Sequence, residues 1–237
     1  MDTNNKKYEF ADETTVVFGR TLHRIRALVA IERFGVKAGD LGGFIEREEN
    51  LSHNGDAWVS GDARVSGDAR VSGDARVYGD AQVYGDAWVY GDARVSGNAR
   101  VSGNAWVSGN AWVSGNAQVW GNARVSGNAW VYGDARVSGN ARVSGNAWVY
   151  GDAWVYGDAH WMCMGPMGSR EAFTTFTRDK DGTIFVSCGC FFGDVEAFLT
   201  KVEATHGDSK HARAYRAAVA LALEQIDTTP MEDENKS

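Results

Sequence analysis

"GDARVSGNARVSGNAWVYGDAW", residues 133–154, repeats a six-residue unit, Gly-(Asp/Asn)-Ala-x-Val-y, with little variation. The unit runs from residue 55 to 162 without insertion or loss, with glycine at Gly55, Gly61, Gly67 and every sixth position to Gly157, eighteen units in all. A fixed short period is the signature of a solenoid. Ala and Val stand two apart, so in an extended segment both point to one face while x and y point to the other. The Gly-(Asp/Asn) pair is turn chemistry, because Gly tolerates positive φ and Asp or Asn bonds its own backbone. Short strands separated by corners follow. One unit cannot bury its Ala and Val alone, whereas coils stacked about 4.8 Å apart bury them in one continuous column.

Composition narrows the function classes. The 29 glycines against 2 prolines are periodic rather than scattered as in a flexible linker. A formal net charge of −7 argues against coating nucleic-acid phosphates, and no direct nucleic-acid binding is expected. The N-terminus MDTNNKKYEF carries no signal-like apolar run and no stretch is long and apolar enough for a span, so a cytoplasmic protein without membrane contact is expected. Cys163, Cys188 and Cys190 are an odd number, and reduced thiols are expected.

The repeat resembles the hexapeptide-repeat superfamily, in which an aliphatic residue is followed four places on by a small one, as Val59 by Ala63 and Val65 by Ala69. The resemblance implies a mainly β fold, a left-handed parallel β-helix with triangular coils of three units. Eighteen units then make about six coils, roughly 29 Å of rod. The handedness comes from the resemblance alone, since parallel crossovers are otherwise right-handed.

Folding by three places residues eighteen apart above one another and writes three outward columns from position x. They read Trp58, Arg76, Arg94, Trp112, Trp130, Trp148; then Arg64, Gln82, Arg100, Gln118, Arg136, Trp154; then Arg70, Trp88, Trp106, Arg124, Arg142, His160. Such ladders stabilise neighbouring coils by ring stacking and cation–π contacts, or form an interface, or stack sugars or bases. Hexapeptide-repeat proteins are typically trimers, so Trp112, Trp130 and Trp148 with Tyr132 and Tyr150 are the candidate homotrimer interface. The corner is Asp from Asp56 to Asp92 and Asn from Asn98 to Asn128, then mixed to Asp158. Asn corners can stack in hydrogen-bonded ladders, whereas stacked Asp side chains repel.

The flanks differ from the repeat. Residues 1–54 read as an N-terminal β cap, with a strand in TLHRIRALVAI (21–31) and turns with a short strand in GVKAGDLGGFIEREENLS (35–52). His23, Arg24 and Arg26 are weighed there as an anion site against a solvated strand face. Residues 163–227 read as a small α+β module. AFTTFTR and TIFVSCG flank the turn DKDG as a hairpin, Asp194 caps a helix stopping at Gly207, and a second helix fills 209–226. The acidic tail 228–237 is expected to be disordered.

Diverse polar chemistry is densest in that module. GPMGSR (165–170) can bring backbone N–H groups, Ser169 and Arg170 to an anion. Ser169, Arg170, Thr174, Thr175 and His206 form the candidate pocket. The three cysteines with His160 or His206 do not have standard zinc spacing, so no metal or cofactor is assigned. The superfamily's best-known members are coenzyme A-dependent acyltransferases with a loop interrupting the coils and often a histidine base. This rod has no interruption, and its only histidine is His160 in the last unit, so the reading leans away from catalysis. The whole chain, from KYEFADET to THGDSKHA, is similar to hexapeptide-repeat proteins of tailed phages and prophages. The resulting expectation is a non-enzymatic oligomeric rod in an infected or lysogenic bacterium. It would present a C-terminal or inter-subunit site for a small anionic, nucleotide-like ligand or a host protein, to counter host defence. The alternatives are a coenzyme A-dependent acyltransferase and a purely structural virion or spacer protein.

Overall fold

The repeated hexad becomes one corner and one two-residue strand. The computed structural model describes residues 6–151, 153–157, 160–169, 171–179 and 181–229. Among them, seventeen x-Val pairs form strands β4 (Trp58–Val59) to β20 (Trp154–Val155), one every six residues. Corner glycines such as Gly103 and Gly115 hold φ of +63° and +69°, the left-handed region that the turn requires. Strands eighteen residues apart pair in parallel register, as Trp112 with Trp130 and Val113 with Val131. Face 1 carries β4, β7, β10, β13, β16 and β19; face 2 carries β5, β8, β11, β14, β17 and β20; face 3 carries β6, β9, β12, β15 and β18. The result is a parallel β-solenoid of about six turns, mainly β, with a small α+β unit at its C-terminal end. Every Ala and Val of these pairs, from Ala57 to Val155, is buried in one column.

Backbone polarity makes the two ends of the rod chemically different. Each x and y N–H donates toward the C-terminal coil, as Arg100 N to Ala117 O at 2.9 Å and Ser102 N to Val119 O at 2.9 Å. The first coil therefore ends in unmatched carbonyls and the last coil in unmatched N–H groups, which must find partners.

The N-terminal cap supplies donors. Strands β1 (Tyr8–Val17) and β2 (Arg20–Ala27) form an antiparallel hairpin, and β3 (Leu41–Ile45) joins β2 to face 2 through β5. Phe44 N donates to Ala63 O, Glu46 N to Val65 O and Ser52 N to Val71 O, at 2.9, 3.0 and 2.9 Å. At two corners side chains serve: Lys7 Nζ donates to Gly55 O and Ala57 O, and Asn50 Nδ2 to Gly67 O and Ala69 O. Gly43 is needed where β3 crosses the first coil, because a Cβ there would lie 2.6 Å from Ala63 O. Trp58, read from sequence as an outward ladder residue, is 1% exposed because the cap covers it.

The cap also explains the acidic corners. Arg33 pairs with Asp74 and Asp92, Arg24 with Asp62 at 3.5 Å and Arg47 with Asp68, one cap arginine for each of the three corner stacks. Farther along, Asn corners pass hydrogen bonds from coil to coil: Asn98 to Asn116 to Asp134, Asn104 to Asn122 to Asn140, and Asn110 to Asn128 to Asn146. Arg24 and Arg26 are paired with Glu13 and Glu9, and His23 packs on Phe10.

At the far end the eighteenth hexad does not close another coil, and Trp161 opens a new strand. Strands β21 (Trp161–Met167), β22 (Ala172–Arg178), β23 (Ile184–Cys188) and β24 (Phe191–Asp194) form an antiparallel sheet in that order. The first three residues of GPMGSR, 165–167, therefore lie inside β21. Helices α1 (Val195–His206) and α2 (Lys210–Gln225) cover one face of this sheet over Phe176, Ile184 and Val186. Asp194 caps α1 by accepting from Ala197 N at 2.8 Å, as its type predicts. Of the tail, residues 230–237 lie outside the described residues, as does Asp158.

Candidate functional site

The sequence-derived candidates separate onto two sides of the module sheet. Neighbouring residues of a strand point to opposite faces, and Thr174 and Thr175 divide accordingly. Thr174 faces the helices, where its hydroxyl donates to Cys188 Sγ at 3.2 Å. Thr175 faces the rod, where its Oγ1 accepts from Trp148 N at 3.1 Å. Thr175 is thus an acceptor for one of the unmatched N–H groups of the last coil. His160 plays the same part, its Nδ1 accepting from Tyr156 N at 3.2 Å. Burial, and after it the nearby Arg178, hold the His160 imidazole below its usual pKa, which favours the neutral form that this acceptor role needs. His160 therefore leaves the Arg142 column in which the sequence reading placed it.

Ser169 and His206 do come together. They line a cavity of about 240 Å³ with Cys188, Cys190, Phe191, Phe198, Lys201 and Tyr215, between the β23–β24 turn and the two helices. Its walls are aromatic: Phe191 lies 5.3 Å from Phe198, Phe198 meets Tyr215 edge-on at 5.5 Å, and His206 lies 5.8 Å from Tyr215, between ring centroids. Its polar groups include the Lys201 ammonium, the His206 imidazole and the hydroxyls of Ser169 and Thr205. Arg170 lies outside the described residues. Gly168 serves the fold, since a Cβ there would stand 1.8 Å from the Tyr215 hydroxyl.

Lys201, Phe198 and Tyr215 were not singled out from sequence. Their signal was present in the spacing: Phe198, Lys201 and Val202 fall at i, i+3 and i+4 on α1, one side of a helix. What sequence could not supply was that α2 brings Tyr215 across that side.

The cysteines do not converge. Cys163 lies toward the rod, with Thr175 Oγ1 3.6 Å from its sulfur, and its thiol pKa is raised by burial. Cys188 lies on the helix side, 3.8 Å from the Tyr215 hydroxyl. Cys190 is exposed in the turn after β23. Among the described residues no group of three or more His, Cys, Asp or Glu side chains is placed to hold a metal ion.

Face 1 gathers the five aromatic candidates. Trp130 and Trp148 stack with centroids 5.3 Å apart, Trp112 meets Trp130 edge-on at 5.0 Å, and Tyr132 and Tyr150 stack at 4.2 Å. The strip continues onto the module, because Tyr150 contacts Phe192 at 4.7 Å and Phe192 stacks on Phe185 at 5.4 Å. Trp130, at its centre, is 37% exposed. Face 3 carries a different stack, in which Trp88 lies on Trp106 at 5.6 Å, with Arg70 and Arg124 over the outer rings at 5.4 and 4.7 Å.

The fold defines the class: a parallel β-solenoid built on a repeated hexad, with a helix-covered sheet closing one end. Residues 57–73, 69–85, 81–97, 93–109, 99–115, 117–133, 135–151 and 141–157 match the family model described as the YdcK beta solenoid repeat. These matches lie within the rod, which is a repeat β-helix, and do not extend to the cap or the module. No curated protein matches the chain. No helix among the described residues is long and apolar enough to cross a membrane.

Proposed function

We propose that the protein is a binding protein rather than an enzyme, and that its C-terminal cavity takes a small anionic ligand with a flat apolar part, as a nucleotide has. The observation that carries this reading is the cavity's composition: aromatic walls from Phe191, Phe198 and Tyr215 with Lys201, His206 and Ser169 beside them. Aromatic rings accept the face of a base, and a cation with a hydroxyl accepts the charged group. At about 240 Å³ the space suits one ring and its anionic substituent, and a larger ligand extends from the mouth. The aromatic strip of face 1 supports assembly into an oligomer, a trimer by analogy with hexapeptide-repeat proteins. The likeness to phage and prophage proteins of that superfamily supports a role in the bacterial cytoplasm, holding a host nucleotide signal.

The test is thermal unfolding of the wild type and of Lys201→Met with a panel of ribonucleoside monophosphates and cyclic nucleotides. At least one compound raises the midpoint of the wild type and has little effect on the variant. If none moves the wild type, or the variant responds equally, the cavity is not the binding site.

A further inference from the structure

A second basic cavity lies at the opposite end of face 1. Arg33, Phe34, Arg76, Tyr78 and Arg94 enclose about 170 Å³. Arg76 and Arg94 occupy equivalent places in adjacent coils, paired in register, so their backbones stand about 4.8 Å apart. The Arg76 guanidinium is held between two rings, 5.1 Å from the Phe34 centroid and 4.9 Å from that of Tyr78. Its Nε is buried without a hydrogen-bond partner. Arg94 is exposed, over the Trp112 ring at 6.0 Å. The nearby carboxylates, Asp74 and Asp92, are both engaged by Arg33. Neither Arg76 nor Arg94 has a hydrogen-bond or ion-pair partner among the described residues.

Two guanidinium groups stacked one coil apart with no acid between them repel each other, and an anion placed on both reverses the sign of that interaction. The Phe34 and Tyr78 rings fix Arg76 in advance, so little side-chain freedom is lost on binding. A carboxylate has two oxygens and is matched by one guanidinium fork. A tetrahedral phosphate offers oxygens in several directions and is matched by forks arriving from two coils. From this geometry we infer a phosphate-binding site on Arg76 and Arg94, with Arg33 turned toward its aspartates as the cavity's third wall. The site is separate from the C-terminal cavity and does not rest on the function proposed for it.

The experiment is isothermal titration with inorganic phosphate at constant ionic strength, on wild type, Arg76→Gln, Arg94→Gln and Lys201→Met. Millimolar or tighter binding is expected for the wild type, at least about tenfold weaker in Arg94→Gln, and unchanged in Lys201→Met. Arg94 is exposed, so its replacement leaves the fold intact even if Arg76→Gln disturbs the packing on Phe34. A crystal soaked in phosphate should show the ion between Arg76 and Arg94. Absence of heat with the wild type, or wild-type affinity in Arg94→Gln, overturns the inference. Binding lost in Lys201→Met but kept in Arg94→Gln moves the phosphate to the C-terminal cavity and overturns it as well.

Discussion

Two corner glycines with the same backbone conformation should respond differently to alanine. Gly115 and Gly145 hold φ of +69° and +67°, so each substitution places an L residue in the left-handed region, at about 1–2 kcal/mol. For Gly145 that is the whole effect, because nothing lies within 4 Å of the added Cβ. At Gly115 the Cβ would stand 3.0 Å from both the N and the O of Gly133 in the next coil. Those atoms are backbone and cannot swing away. The coils must part locally, stretching the 2.9 Å bond from Asn116 N to Gly133 O. Overpacking of this kind adds about 1–3 kcal/mol. With roughly 2–4 °C per kcal/mol for a chain of this size, Gly145→Ala lowers the unfolding midpoint by about 2–8 °C and Gly115→Ala by several degrees more. Far-UV circular dichroism during heating measures both, and amide exchange at Asn116 reports the local opening. Equal losses at the two sites would refute the claim that corner glycines are required by coil contact as well as by φ.

Other residues give further expectations. Burial lowers the Lys7 ammonium to a pKa of about 8 against an ordinary 10.5, despite the opposing pull of Asp56 and Asp74. The unfolded chain then binds more protons between those values, so the Lys7 contribution rises from pH 8 to 10.5, by up to about 3 kcal/mol. Tyr8 and Cys163, whose pKa values are raised by burial, act in the opposite direction at high pH, so the measurement is the difference between wild-type and Lys7→Met pH–stability curves. A difference independent of pH in that window contradicts it. Thr175→Val removes the acceptor of Trp148 N and should cost about 1–3 kcal/mol, with faster hydrogen exchange at Trp148; unchanged exchange would show that another group takes over. Trp130→Ser with Tyr132→Ser should shift the protein to monomer in light scattering while leaving its circular dichroism unchanged, and a persistent oligomer would place the interface elsewhere.

The solenoid was legible because its determinants are local and repeated. Gly at the corner, Ala and Val inward, and x and y outward follow from one hexad, and periodicity fixes which residues stack. The column order of Trp112, Trp130 and Trp148 therefore survives intact. Readings failed where the period meets something non-periodic. Trp58 and His160 obey the hexad in sequence but are taken up by the cap and by the turn into the module. Thr175 read as a pocket residue because a hydroxyl's partner is set by tertiary placement, here the unmatched N–H of Trp148. Lys201 and Tyr215 were missed for the same reason, since their meeting depends on how α2 packs on α1. The Asp corners became intelligible only once Arg24, Arg33 and Arg47 were seen reaching them from the cap.

The central claim is that the C-terminal cavity holds a small anionic ligand. It is tested most directly by native mass spectrometry of the protein purified from bacterial cells, before and after mild denaturation, beside the Lys201→Met variant. The account predicts an oligomer that releases a small anion of defined mass on denaturation, and a variant of the same oligomeric state that releases none. An oligomer that carries nothing from cells and gains no mass on incubation with the nucleotide panel would contradict it.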